Sequence, residues 1–163
     1  MGELLSMPNQ VEELYSLLVP LHQGRLIVPR ACVAEVIRYA PSDEHTDGSA
    51  WFRGFMAWND RQVPVIRIED LCGLESTVPG GRTRLAIFNC LSDSLEVGAF
   101  GLLTEGFPQL VRVNRDVMEL HDEHAWPEDG PIICQIRMIN EYPMIPDLEK
   151  LEALIRDYLA DAA

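Results

Sequence analysis

The sequence predicts a mainly β protein made of two related small barrels and closed by one C-terminal helix. Three observations predict it. Short apolar runs, many of them β-branched, recur at the roughly 8–12-residue spacing of small all-β folds, with turn-forming residues between them. Two segments in the first half are echoed in the second. Val63-Pro64-Val65-Ile66 returns as Tyr142-Pro143-Met144-Ile145, an offset of 142 − 63 = 79, and Val36-Ile37-Arg38 returns as Leu110-Val111-Arg112, an offset of 110 − 36 = 74. Only one long stretch, near the C-terminus, has apolar residues at helical spacing.

In chain order, residues 1–13 read as a loose lead-in, because Met1 to Gln10 shows no periodicity. Leu14 to Leu21 is a strand-like run, His22-Gln23-Gly24 a turn, and Arg25 to Pro29 a second strand. A further strand is expected from about Glu35, carried by Val36 and Ile37. Glu35 itself reads either as a strand-edge carboxylate facing water or as a group facing a partner. Pro41 to Ser49 is a polar loop.

Trp51 to Gly73 then reads as a hairpin and a short helical turn. Phe52 to Trp58 and Val63 to Ile68 are its two strands, joined by Asn59 and Asp60, which tolerate tight-turn dihedrals. Pro64 has no N–H, so it belongs at an edge or a bulge. Gly73 can supply the left-handed residue that ends the turn of helix over Glu69 to Cys72. At the hairpin tip, Trp58 lies beside Asn59, Asp60 and Arg61. A large aromatic next to polar groups at a strand end is a candidate contact surface.

Pro79-Gly80-Gly81 marks a connection, and Leu85 to Leu91 and Val97 to Leu103 read as paired strands about the turn Ser92-Asp93-Ser94. Leu110 to Val113 is another strand. Arg115 to Gly130 is acidic and loop-like, with room for one helical turn at Val117, Met118 and Leu120. Ile132 to Asn140 alternates as a half-buried strand does. Pro146 to Leu159 is the helix: Leu148, Leu151, Leu154, Ile155, Tyr158 and Leu159 share one face. Pro146 suits its first position, and Asp147 and Glu149 suit the positive end of its dipole. Ile87 and Ile136 are both expected to be buried in the second subdomain.

The 163 residues suffice for one domain or two small halves sharing a core. A net charge of −13, with Lys and Arg scattered singly, repels phosphate backbones and anionic membranes. The sequence therefore predicts no nucleic-acid partner and no direct membrane insertion, and no run of about 18 to 20 apolar residues could span a bilayer. The expected partner is a protein that is basic or apolar where it docks. Cys32, Cys72, Cys90 and Cys134 form no C-x-x-C pair, and the N-terminus has no basic or apolar leader region. They read as reduced, mostly buried thiols of a cytoplasmic protein.

Sequence signatures of catalysis are missing. There is no G-x-S-x-G elbow, no phosphate-cradling P-loop and no G-x-G-x-x-G. His121-Asp122-Glu123-His124 places two histidines where a helical turn could share a metal. The flanking acidic, Pro- and Gly-containing sequence reads instead as a solvated loop, which seldom gives a metal site its supporting shell. No cofactor is implied.

In the order and spacing of its segments the chain resembles the CheW-like family of chemosensory coupling proteins. The matching stretches are LIVPRACVAEVIRY (Leu26 to Tyr39), WFRGFMAWNDRQVPVIRIEDLCG (Trp51 to Gly73), FGLLTEGFPQLVRV (Phe100 to Val113) and PMIPDLEKLEALI (Pro143 to Ile155). The resemblance implies two five-stranded SH3-like β-barrel subdomains, intertwined over residues 14–163 and sharing a core, with a C-terminal helix. It implies no active site. The role implied is an adaptor linking chemoreceptor tips, of the methyl-accepting type, to a CheA-type histidine kinase. Carried over by position, the receptor-facing groove includes Val33, Glu35 and Gly54, together with the turn after Gly54. That turn departs from the family's R-G-x-x-N-L-R-G: Arg53-Gly54 is kept, but Ala57-Trp58-Asn59-Asp60 follows, and Arg67 stands where the family tends to have Asp. The loss of a guanidinium fork at position 59 and the gain of an indole at position 58 change what the turn can bind. Such divergence suits a pilus-associated, twitching-motility type of system. Two other readings remain: a CheW-like module that binds another regulator and competes with the main coupling protein, and a small metal-dependent enzyme using His121 and His124.

Overall fold

A computed structural model describes residues 13–40, 50–121 and 123–162. The lead-in segment up to residue 12, the polar loop over 41–49 and Asp122 lie outside the described residues. Among the described residues, eleven strands and two α-helices follow one another. The first half runs β1 (Leu14–Pro20), β2 (Arg25–Pro29), a 3-10 turn over Arg30–Cys32, β3 (Val33–Arg38), β4 (Phe52–Trp58), β5 (Arg61–Ile66) and α1 (Ile68–Cys72). The second runs β6 (Arg84–Asn89), β7 (Ala99–Thr104), β8 (Gln109–Val113), β9 (Glu119–His121), β10 (Ile132–Arg137), β11 (Met144–Pro146) and α2 (Leu148–Ala162).

The strands form two sheets, ordered β3-β6-β7-β5-β4 and β8-β1-β2-β11-β10-β9. In the first, the pairings along that order are antiparallel, antiparallel, parallel and antiparallel. The second has the same senses from β8 to β10 and then adds β9. Thus β3 corresponds to β8 and β5 to β11. Both sequence echoes fall on these corresponding strands, so the internal repeat is a repeat of wiring. The first sheet is continuous in sequence, whereas the second joins β1 and β2 to strands from the end of the chain.

Alternation divides the apolar residues among three cores. Val63, Val65, Leu85, Ile87, Ala99 and Leu103 fill the inside of the first sheet. Leu18, Ile27, Val113 and Ile136 fill the inside of the second. The intervening residues of the same strands, among them Val19, Leu26, Val28, Ile66, Ala86, Phe88, Phe100 and Leu102, form a shared core between the sheets with Leu148, Leu151 and Ile155 of α2. Because these strands are buried on both faces, they read as continuous apolar runs. Gly101 marks where the first barrel is tightest. A Cβ there would lie 2.7 Å from Leu85 Cδ1.

Several details correct the sequence reading. Ile87 and Ile136 are both buried, but in different barrels. β3 starts at Val33, since Arg30–Cys32 closes into the 3-10 turn before it. The acidic stretch after Arg115 holds no helical turn at Leu120 but a strand, β9, which pairs with β10 and becomes the second sheet's sixth member. Pro146 does not begin the helix. It ends β11, and Asp147 caps α2 by accepting the Lys150 N–H on Oδ1 at 3.0 Å.

Glu152 is the feature the helical pattern concealed. It is fully buried on α2 and accepts hydrogen bonds from Leu91 N (2.7 Å), Ser92 N (3.0 Å) and Ser92 Oγ (2.6 Å). These bonds tie the C-terminal helix to the loop between β6 and β7. The four cysteines are free and half-buried. Burial, with Glu69 and Glu152 respectively adding to it, pushes the Cys72 and Cys90 thiols up to about 12, which keeps them protonated and unreactive at neutral pH.

Candidate partner-binding surface

The candidate surface is built on the two open edges of the first sheet, β3 and β4. The hairpin of β4 and β5 supplies most of it. Near its start the register shifts between Phe52 and Phe55, and Gly54 takes φ 89 at this irregularity. Pro64 sits opposite Phe55, beside the irregular stretch, as its missing N–H requires. At the far end Asn59 and Asp60 have φ 53 and 61, and Trp58 pairs with Arg61 across them. Two consecutive left-handed residues are the signature of a type I′ turn, and Asn and Asp are the side-chain-bearing residues that tolerate it best.

This turn holds Trp58 over the top of the barrel, half-buried against the first inner core. Its Nε1 donates to Glu35 Oε1 at 3.1 Å. Glu35 is exposed on β3, so the indole bridges the two edge strands and closes the barrel seam. On the other side the Arg61 guanidinium carbon lies 5.0 Å from the indole centroid, within cation–π range. Arg61 is aimed there by a bond from its Nη1 to the Val97 carbonyl at 2.9 Å. The result is an indole whose edge donates to a carboxylate and whose face carries a guanidinium, at the surface of an acidic protein.

Of the seven sequence-predicted residues, Glu35, Trp58 and Arg61 are in direct contact, and Asn59 and Asp60 form the turn that sets them. Val33 packs on the shared core, and Gly54 is buried at the irregularity in β4. Arg67 is engaged elsewhere, its Nε donating to Asp70 Oδ2 at 2.6 Å and its Nη1 to the Thr77 carbonyl at 3.0 Å. It therefore pins the connection after α1. The histidines of the acidic segment pack, with tilted rings, against separate aromatics, His121 against Tyr142 and His124 against Trp126. Among the described residues, no three His, Cys, Asp or Glu side chains gather where a metal could be held.

A second surface escaped the sequence reading. Leu14, Tyr15 and Leu110 are each 53% exposed and line an open cleft of about 540 Å³ on β1 and β8. The run beginning at Leu14 reads simply as a strand, and its first two residues precede the part of β1 that the cores cover.

The family model for the CheW-like domain matches residues 16–152. The chain belongs to the CheW-like family. As a CheW-like protein it is a non-catalytic scaffold of chemotaxis signalling. Its fold is similar to the crystal structure of the scaffolding protein TtCheW from Thermoanaerobacter tengcongensis, with a TM-score of 0.71 at 13% identity. The alignment covers 86% of this chain and 92% of that one. The two barrels are thus the SH3-like pair of this family, with α2 as its C-terminal helix. No curated protein sequence matches the chain. Among the described residues, no helix is long and apolar enough to cross a membrane.

Proposed function

We propose that this CheW-like protein couples chemoreceptor tips to a CheA-type histidine kinase in the cytoplasm, in a chemosensory array of the pilus-associated, twitching-motility type. The partner-binding residues are Val33, Glu35, Gly54, Trp58, Asn59, Asp60 and Arg61. One observation carries the reading: the Trp58–Glu35 hydrogen bond joins the position where the turn departs from the family pattern to a carboxylate of the family's receptor-facing groove. A receptor tip meeting this surface must displace the indole from Glu35 or accept it as part of the docking face. The same contact favours a second reading, in which the module binds another regulator and competes with the main coupling protein.

Co-purification from the native cytoplasm, scored for a histidine kinase and a chemoreceptor, separates the two readings. Trp58→Ala tests the surface. Since Trp58 is only half-buried, its removal costs about 1–2 kcal/mol of stability, below the full core-truncation range, while affinity falls by about 2 kcal/mol, the scale of an interface hot spot. Folded Trp58→Ala protein that binds kinase and receptor as before would remove Trp58 from the surface. The pair Asn59→Arg and Asp60→Gly restores the family residues. It stays folded, because glycine suits the φ of 61 at position 60, and preference shifts towards ordinary receptor tips.

A further inference from the structure

The junction between the sheets contains a buried carboxyl that the coupling role does not use. Glu69, on α1, is 2% exposed. Its Oε2 accepts a bond from the His22 backbone N–H at 3.3 Å, which seats the β1–β2 turn on α1. Its Oε1 has no hydrogen-bond partner and is fully buried. Glu69 lines a small, partly open cavity of about 10 Å³ with Arg67, Thr77, Thr83, Thr104 and Glu105. That volume is one water molecule's worth of probe space, and the lining offers the polar partners such a water needs.

The charges around the cavity are already assigned. Arg67 is committed to Asp70 and the Thr77 carbonyl. Glu105 is oriented by a 2.8 Å bond from Thr77 Oγ1, and its own N–H donates to the Pro20 carbonyl at the end of β1. Thr83 Oγ1 accepts from Gly80 N, and Thr104 Oγ1 donates to the Gly106 carbonyl. An ionised Glu69 would therefore face the Glu105 carboxylate with its Oε1 unsatisfied, supported only by backbone N–H bonds and by an Arg67 committed elsewhere. A buried charge so poorly paired is costly, whereas a neutral carboxyl has an O–H to give.

We propose that Glu69 is held as a neutral acid in the folded chain and donates from Oε1, through one water in this cavity, to Glu105. The donated bond spans the junction of the two sheets, because Glu105 and His22 both belong to the seat of the β1–β2 turn. Glu105 also lines an open cleft of about 550 Å³ with His22, Arg25, Arg82 and Glu141, so the site has a route to solvent for proton exchange. Burial first, and the Glu105 charge in addition, hold the Glu69 carboxyl above the ordinary range, against the lowering pull of backbone N–H bonds and Arg67. The Cys72 thiol on the same helix, pushed up by burial and by Glu69, is protonated.

A carboxyl that ionises in the unfolded chain near pH 4.3 but stays protonated in the fold contributes stability fully below that pH. The contribution is lost as pH rises to the folded value. Glu69→Gln reproduces the neutral form and removes this loss. Its melting temperature is expected to match the parent protein at pH 4 and to exceed it by roughly a few °C at pH 8. The carboxyl carbon of Glu69, followed by NMR in the intact protein, should titrate above the usual glutamate range, and Glu105→Gln should bring its midpoint down. A Glu69 signal titrating near pH 4.3 overturns the proposal, as does Glu69→Gln protein that melts below the parent at every pH. A midpoint indifferent to Glu105→Gln overturns the link between the two carboxyls.

Discussion

At the tip joining β4 to β5, the left-handed positions are filled by Asn59 and Asp60, and the flanking Trp58 is lashed to Glu35 and Arg61. At the corresponding tip joining β10 to β11, Met138 and Glu141 exchange backbone bonds of 2.8 and 2.6 Å around Ile139 and Asn140. Here Ile139 takes φ 35 and is 86% exposed. A β-branched residue in that region is strained, and an isoleucine side chain in water gains nothing in return. The wiring is the same in both barrels. The first tip, however, has residues that agree with its backbone and a side chain anchored across the seam, while the second has neither. Repetition of a fold thus preserves strand order and sense without preserving local fitness of the turns.

The largest effects should come from the inner cores. Ile87→Ala in the first barrel and Ile136→Ala in the second should each cost about 2 to 5 kcal/mol in denaturant unfolding. Because the two side chains belong to separate clusters, their double mutant should be additive within about 0.5 kcal/mol. A loss under ~1 kcal/mol at either site, the scale of a tolerated surface change, would mean that barrel is not packed as described. Non-additivity would mean the barrels are not independent.

Glu152→Ala comes next, since it breaks the tie between the C-terminal helix and the β6–β7 loop of the first barrel. Two backbone N–H groups and a hydroxyl lose their acceptor, so the expected cost is about 2 to 4 kcal/mol. Faster amide exchange at Leu91 and Ser92 would locate the damage. The smallest effect sharpens the contrast of the tips. Ile139→Asn should stabilise the protein by about 0.5 to 1 kcal/mol by relieving the left-handed strain, and Asn59→Ile should cost a similar amount or more. Equal, null responses at both tips would remove the distinction between them.

Much of this fold was legible because its signals are local. The β4–β5 hairpin announces itself through β-branched runs around Asn59-Asp60, and the two echoes find the repeat before any pairing is known. The three-residue strands β9 and β11 were not legible as strands, although an echo falls on β11: they are too short to show a period, and their pairing with β10 defines them. Glu152 was hidden because a glutamate on an amphipathic helix ordinarily faces water, and its donors lie some sixty residues upstream. At the candidate surface, Glu35 and Trp58 were each visible as candidates. Their contact spans 23 residues and depends on barrel closure, which no spacing rule conveys.

The split ancestry of the second sheet bears on how the chain comes into being on the ribosome. Strands β3 to β7 lie within residues 33–104, so the first barrel has all its strands once that stretch has emerged. The hairpin of β1 and β2 is made earlier but waits longer, because β8 follows at Gln109 and β11, its neighbour in the sheet, only at Met144. At about 5–20 residues per second, that delay is on the order of ten seconds. During it, Leu18, Ile27 and the apolar face of β2 have no native cover. The second barrel is the interval in which a nascent chain is open to misassembly and to chaperones, and α2, which follows β11, is the element that ends it.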